Sequence, residues 1–278
     1  MKQLRFHYYM EIRFDIPVHD HHFTLRCLPK EDDSQINEEL NYEVRPYCDL
    51  YRGTDAFGNE MLYGSCREPH KLFLADVYGI VQTGCGERIS ETASEYIYRY
   101  QTLQTAPGVQ IRGFYKELEQ DFLRETDAPE QKDVTGMAVF FMHRLNKRFQ
   151  YRSGITLIDT TAEEAFEKGM GVCQDYAHIF LSLLRLARIP CRYVSGMMTG
   201  EGFSHAWVEI RTPEGWIGLD PTNDRIVGDD YIRIAKGRDY KDCLINRGIF
   251  KGCVGTAFQE QMIRVEVKEI GEKTDGND

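Results

Sequence analysis

The chain has 278 residues, of which 42% are hydrophobic and 28% are charged, and its formal net charge is −10 at pH 7. This is the composition of a globular protein with a sizeable core, and it excludes a disordered chain, a collagen-like repeat and a coiled coil. An acidic protein binds anionic surfaces poorly, so we expect neither nucleic acid nor a membrane as a partner. Because the sequence contains no membrane-spanning apolar stretch and no secretory signal, we predict a cytoplasmic location.

Residues 1–85 have the pattern of β structure. Leu4, Phe6, Tyr8 and Met10 alternate with polar residues, which places four apolar side chains on one face of a strand. We expect a loop at residues 17–20 and further strands at residues 23–28, 41–45, 50–52 and 72–81. Short strands separated by turns are typical of a small β-sandwich or half-barrel, so we predict an N-terminal β domain over residues 1–85.

Residues 19–22 read His-Asp-His-His and contain good metal ligands. Neighbouring strand residues point to opposite faces, so at most two of these side chains converge easily. A solvated loop is therefore the favoured interpretation. The eight cysteines include no C-x-x-C pair, which argues against a zinc ribbon. We expect mostly free, buried thiols, no metal and no cofactor.

From about residue 113 the apolar period becomes helical, and residues 86–112 are interpreted as a connector. Residues 160–163 read Thr-Thr-Ala-Glu, which predicts a capping box for a short helix that Gly169 ends. A helix from Cys173 to about Arg188 follows, and it is apolar almost all round apart from a narrow polar stripe, which is typical of a buried central helix. That stripe consists of Gln174, His178, Ser182 and Arg185.

Three strands are predicted after this helix, at residues 191–196, 205–211 and 216–219. The turn Thr-Pro-Glu-Gly at residues 212–215 favours an antiparallel hairpin for the last two. A buried helix against such a sheet predicts an α+β fold. We assign residues 113–270 to this second domain and residues 271–278 to a frayed tail.

Cys173 lies in the first turn of the predicted buried helix. Unpaired backbone N–H groups and the helix dipole favour the thiolate there, and the thiolate is the nucleophilic form. Gly169 and Gly171 would let a substrate carbonyl approach the backbone, and the Cys173 N–H could donate to an oxyanion. Asp175 points away, and we expect it to accept backbone N–H bonds in the first turn or to pair with a cation.

His205 begins the predicted strand at residues 205–211, and Asp220 ends the strand of the hairpin partner. A histidine at that position can reach a helix end in the neighbouring layer, where it would take the proton of Cys173. A carboxylate on the adjacent strand would fix the histidine tautomer. Each residue alone is more often structural, but together the three supply a nucleophile, a base and an orienting group.

Four stretches closely resemble the transglutaminase-like (papain-related) superfamily, in its bacterial cysteine-peptidase branch: Gly-Val-Cys173-x-Asp-Tyr-Ala-His, Ile189-Pro-Cys-Arg-Tyr-Val-Ser-Gly196, Ser-His205-Ala-Trp-Val-Glu and Gly-Trp-x-Gly-Leu-Asp220-Pro-Thr. The resemblance is dense from Tyr151 to Gly252, and residues 1–85 look like the N-terminal β region of that branch. It implies a papain-like core in which Cys173 is the nucleophile, His205 the general base and acid, and Asp220 the orienting group. For a second oxyanion donor upstream of the cysteine it suggests Tyr151 or Gln150.

These observations predict a cysteine-dependent amide hydrolase that acts on a peptide or protein amide through a thioester. Animal transglutaminases have extra domains and calcium sites, whereas this chain is shorter and has no D-x-D-x-D-G loop. Two alternatives stay open at this point. One is a transglutaminase that uses an amine acceptor, and the other is an inactive binding module on the same fold. The oligomeric state is not indicated.

Overall fold

The computed structural model describes residues 1–85, 95–125, 133–252 and 258–271. It confirms the α+β class, with two antiparallel sheets and a layer of helices. The strands are β1 (Lys2–Leu25), β2 (Gln35–Arg45), β3 (Leu50–Thr54), β4 (Glu60–Cys66), β5 (His70–Thr83), β6 (Gln150–Tyr151), β7 (Met170–Gly171), β8 (Cys191–Met198), β9 (Gly200–Gly202), β10 (His205–Thr212), β11 (Gly215–Asp220), β12 (Arg225–Ile226), β13 (Tyr231–Gly237), β14 (Asn246–Gly252) and β15 (Gln259–Glu269). The helices are α1 (Val109–Glu125), α2 (Val134–Arg148), α3 (Ala162–Lys168) and α4 (Cys173–Leu186), with short 3-10 turns at Glu95–Arg99 and Tyr240–Cys243.

The first sheet is built around β1, in the order β2-β5-β1-β15-β9, and β4 and β14 pair with the far end of β1. Our expectation of short strands was wrong here, because β1 has 24 residues and β5 has 14. The loop predicted at residues 17–20 is also wrong. That segment continues β1 through an irregular register, because strands on both sides supply hydrogen bonds to its backbone.

His21 shows why the expectation of a solvated histidine loop failed. Its side chain is buried among aromatic rings, and its Nδ1 lies 3.2 Å from Nε2 of His70. Phe14, Phe23 and Phe73 surround it. Tertiary packing therefore converts this polar stretch into part of a buried strand.

The chain returns to the first sheet at its C-terminal end. β14 and β15, which we had placed with residues 113–270, pair with β1. Our division into domains as a whole stays a prediction, but the first sheet contains strands from both ends of the chain. Residues 86–94 of the predicted connector at 86–112, and residues 272–278 of the predicted frayed tail at 271–278, lie outside the described residues.

A carboxylate joins two of the helices. α1 begins directly after Gly108, and the side chain of Glu163 accepts hydrogen bonds from the N–H groups of Gly108 and Gln110, both at 2.7 Å. The predicted capping box is real but shifted by one residue, with Thr161 and Glu164 as its members, and Gly169 ends α3 in the left-handed conformation. Because Glu164 is the acidic member of the capping box, the carboxylate of Glu163 is available to accept the N–H groups at the start of α1.

α4 lies between the second sheet and the other helices. It packs against β8 and β10 on one side and against α1, α2 and α3 on the other. Of its polar stripe, His178, Ser182 and Arg185 are buried. In the described part of the chain, no helix is both long and apolar enough to cross a membrane.

The second sheet has the order β12-β11-β10-β8-β13. The predicted hairpin is present as β10 and β11. A buried ion pair crosses this sheet, with Arg192 Nη2 2.6 Å from Glu209 Oε2. Arg233 lies beside Glu209 and also pairs with Asp32 at 2.7 Å, so charge pairing fixes the second sheet to the segment before β2.

Candidate active site

The N-terminal turn of α4 presents the sulfur of Cys173. The carboxylate of Asp175 accepts hydrogen bonds from the N–H of Val172 and the hydroxyl of Thr156, each at 2.7 Å. Burial raises the pKa of Asp175, although these two hydrogen bonds oppose the shift. Asp175 therefore holds the turn that precedes Cys173, as the sequence predicted for its backbone contacts.

Gly171 has a different role from the one we expected. A Cβ on this residue would collide with the carboxylate of Asp175. The space beside its backbone is thus filled by a side chain that caps α4, and it is not open to a substrate carbonyl. Gly169 is needed for the left-handed end of α3.

The strand register brings His205 and Asp220 to the same face of the second sheet. Val208 of β10 pairs with Leu219 of β11, and one further step along this register sets Trp207 opposite Asp220. Residues two apart on a strand share a face, so His205, Trp207 and Asp220 lie on the same side. His205 Nε2 is 2.7 Å from Asp220 Oδ2.

Asp220 is fully buried and accepts an unusual number of hydrogen bonds. The backbone N–H groups of Thr222 and Asn223 donate to Oδ1 at 2.9 and 3.2 Å. The hydroxyl of Tyr231 and the side-chain amide of Asn223 donate to Oδ2, each at 2.7 Å. Burial alone would raise the pKa of Asp220, but His205 and these donors outweigh it and lower the pKa.

Sequence reasoning missed Tyr231 and Asn223. Asn223 follows Asp220 by three residues, and this spacing is a possible signal because Asx turns recruit nearby donors. Tyr231 gave no local signal. It reaches Asp220 only because β13 lies on the far side of β8 and its ring packs edge-on against Trp207, with the ring centroids 5.3 Å apart.

His205 contacts Cys173 as well as Asp220. Burial alone would lower the pKa of His205, but the hydrogen bonds and charges of Asp220 and Cys173 raise it to about 10. Since Nε2 is engaged by Asp220, Nδ1 is the nitrogen that remains for the thiol. The three side chains thus form a relay of sulfur, imidazole and carboxylate, and the imidazole is held in its charged form at neutral pH.

Tyr151 lies near the strand that leads into Cys173. It forms part of β6, where it pairs with Gly171 of β7, and its side chain is 59% exposed. Burial and the charge of Cys173 raise the pKa of its hydroxyl. Gln150 pairs with Met170 one residue earlier, and successive strand residues face opposite ways. Of our two candidates for an oxyanion donor, Tyr151 is therefore the one whose hydroxyl interacts electrostatically with Cys173.

Other candidate residues lie away from this relay. His178 is fully buried, accepts the N–H of Tyr240 at 3.1 Å, and its pKa is lowered to about 3, mainly by burial. Cys191 is buried under the sheet and its thiol faces the carbonyl of Leu181. Over the described ranges, the structure contains no group of three histidine, cysteine or acidic side chains arranged to hold a metal ion.

Fold and site together place a cysteine at the N-terminus of a buried helix, with a histidine and a buried carboxylate beside it. The profile of the transglutaminase-like superfamily matches residues 120–221, and that of the bacterial transglutaminase-like N-terminal region matches residues 4–82. The chain belongs to the transglutaminase-like superfamily, as its motifs predicted. This membership supports a cysteine-dependent enzyme.

Relatives cover most of the chain. An uncharacterized protein of Mycobacterium leprae is 40% identical over 249 residues, which cover 82% of this chain and 85% of that protein. An uncharacterized protein of Mycobacterium tuberculosis is 31% identical over 260 residues, covering 84% and 81%. A crystal structure from Cytophaga hutchinsonii, described as a "Putative Cysteine Protease", covers 99% of this chain and 92% of that one with a TM-score of 0.76. Its 19% identity establishes a shared fold only.

Proposed function

We propose that this protein is a cysteine-dependent amide hydrolase that acts on peptide or protein amides. The thiolate of Cys173 attacks the amide carbonyl, and the imidazolium of His205 protonates the leaving amine. A thioester remains on the sulfur. His205 then takes a proton from water, which attacks the thioester and releases the acid and the free thiol. Asp220 keeps the imidazole oriented throughout.

The observation that carries this proposal is the relay itself. His205 is hydrogen-bonded to a buried carboxylate on one side and contacts Cys173 on the other. In this arrangement the imidazolium of His205 carries a proton that it can donate to the leaving amine. A merely structural cysteine has no use for a histidine whose charged form is stabilised, against the effect of burial, by a hydrogen-bonded carboxylate.

Two donors are available for the oxyanion that forms on the substrate. The backbone N–H of Cys173 lies in the first turn of α4, where backbone donors have no partner within the helix. The hydroxyl of Tyr151 interacts electrostatically with Cys173. We propose that both donate to the oxyanion, which contributes to catalysis because charge develops there in the transition state.

We propose hydrolysis and not amine transfer, because water is the default acceptor of a thioester. The cytoplasmic location predicted above is also carried forward as a proposal, which cell fractionation tests. The superfamily includes transglutaminases, so the acceptor must be measured directly.

The first experiment is a screen of the wild type and Cys173→Ala against a library of peptides and side-chain amides, with Cys85→Ala as the matched control. We expect amine release from the wild type and from Cys85→Ala, and none from Cys173→Ala. Retention of full amidase activity in Cys173→Ala would exclude this mechanism. Adding a labelled primary amine separates the two acceptors, because incorporation faster than acid release would identify a transglutaminase.

A substrate-independent experiment tests whether the centre is active at all. Iodoacetamide should modify Cys173 faster than the other seven thiols between about pH 5 and about pH 8, because the imidazole of His205 interacts with its sulfur. If peptide mapping finds Cys173 no more reactive than the others, the protein is better interpreted as a binding module on this fold.

A further inference from the structure

Two cysteines outside the candidate active site, Cys48 and Cys66, face each other in the first sheet. Cys48 lies in the segment between β2 and β3, and Cys66 ends β4. Leu50 of β3 pairs with Gly64 of β4, so two more steps along this register set Cys48 opposite Cys66. The thiol of Cys66 donates to the carbonyl of Pro46 at 3.7 Å, and Cys48 is close enough to contribute to the raised pKa of Cys66.

The backbone at this position is closely packed. A Cβ on Gly64 would collide with the carbonyl oxygen of Asp49, which shows how tightly the two segments are held beside the cysteines. Directly opposed residues of antiparallel strands have Cβ atoms about 4.5–5.5 Å apart. A disulfide needs about 3.5–4.5 Å, so only a small closing movement separates the thiols from a bond.

Cys48 is partly exposed, whereas Cys66 is buried. They line a surface cavity of about 1270 Å³ together with Arg67, Arg247 and Tyr47. Asp49 and Glu68 also line it, so the cavity carries both signs of charge and suits a reagent that has carboxylates as well as ammonium groups. By contrast, Cys27, Cys191 and Cys243 are completely buried.

We propose that Cys48 and Cys66 are a modification site that forms a reversible disulfide by exchange with a small anionic disulfide of the glutathione class. The bond would join the segment before β3 to the end of β4 and so close the open end of this hairpin. This proposal does not depend on the proposed hydrolase activity.

The exchange proceeds in two balanced steps. Cys48, the more accessible thiol, loses a proton and attacks one sulfur of glutathione disulfide. The S–S bond of glutathione disulfide breaks, and one glutathione leaves as a thiolate that takes up a proton. Cys66 then loses its proton, attacks the Cys48 sulfur of the mixed disulfide and expels the second glutathione. The protein gives up two electrons and two protons, and glutathione disulfide accepts both. Burial and the neighbouring Cys48 raise the pKa of Cys66 to about 12, which makes the second step the slower one.

The test is incubation of the full chain with glutathione disulfide, followed by alkylation of free thiols and peptide mapping. In Cys173→Ala, which lacks the most reactive thiol, we expect loss of two of the seven remaining thiols, one linked peptide pair containing Cys48 and Cys66, and reversal by dithiothreitol. The oxidised wild type should unfold at a higher temperature than the reduced form. Cys48→Ala should show neither the bridge nor the shift, whereas the matched control Cys85→Ala should show both.

Three results would overturn this proposal. One is that both thiols stay free under conditions that oxidise an unfolded chain. Another is a lasting single glutathione on Cys48 with no bridge, and the third is a bridge from Cys48 or Cys66 to a different cysteine. Using Cys173→Ala removes any contribution from the thiol of the candidate active site.

Discussion

Replacing Asp220 with asparagine tests the relay most directly. Backbone N–H groups fix the side-chain oxygen at the Oδ1 position, so the new NH₂ group must occupy the Oδ2 position. There it faces His205 Nε2, which now has to accept a hydrogen bond instead of donating one. The proton of the ring is then held on Nδ1, the nitrogen that remains for Cys173, and the ring can no longer act as a base toward the thiol.

The expected fall in activity follows from the loss of the hydrogen bond between His205 and the charged carboxylate. A hydrogen bond to a charged group contributes about 1.5–3 kcal/mol, and about 1.4 kcal/mol corresponds to a tenfold change in rate. The wrong tautomer adds to this, so we expect kcat/KM to fall by about 10²–10⁴-fold. Because burial alone lowers the pKa of His205, the imidazolium that supports the thiolate also disappears at neutral pH.

The assay is the rate of Cys173 alkylation by iodoacetamide as a function of pH, with amide hydrolysis as the second readout. Asp220→Asn should slow alkylation at neutral and acidic pH and leave a single rise at alkaline pH. Tyr231→Phe is the matched comparison: it removes one hydrogen bond to the same carboxylate, about 1.5–3 kcal/mol, but leaves His205 paired with Asp220. Its alkylation at neutral pH should therefore persist. An Asp220→Asn protein whose alkylation profile overlaps that of the wild type would refute the relay.

Further predictions concern pH, charge and the oxyanion. The pKa of His205 is raised from 6.5 to about 10, so its pairing stabilises the fold fully below pH 6.5 and loses this contribution as the pH rises towards 10. The unfolding free energies of wild type and His205→Gln, measured by urea titration, should therefore converge across that window. A constant difference between them would contradict the assignment. Glu209→Ala leaves a buried arginine without its counter-charge and should cost about 3–5 kcal/mol, whereas the exposed control Glu43→Ala should cost under about 1 kcal/mol by the same titration. Tyr151→Phe should lower kcat by about 10²–10³-fold while Cys173 alkylation stays unchanged; an unaltered kcat would exclude the hydroxyl as an oxyanion donor.

Much of the candidate site was readable from local sequence. The apolar period after Cys173 predicted a buried helix with the cysteine in its first turn, and α4 begins at Cys173. The hairpin turn at residues 212–215 predicted that β10 and β11 are neighbours, and their register brings His205 and Asp220 to one face. These features depend on residues that are close in the chain, so short-range periodicity and turn chemistry are sufficient to predict them. Their catalytic roles stay predictions.

What the sequence could not supply is pairing between distant segments. Nothing near β15 indicates that it lies beside β1, because a strand carries no record of which distant strand completes its hydrogen bonds. The same holds for Tyr231, which reaches Asp220 across the sheet, and for Cys48 and Cys66, whose opposition depends on a register set by β3 and β4. The sequence alone determined the helix that presents Cys173 and the hairpin that carries its partners. Only the tertiary structure decided which donors surround the carboxylate and which strands close the first sheet, because side chains and backbone groups from remote parts of the chain meet only when the core has formed.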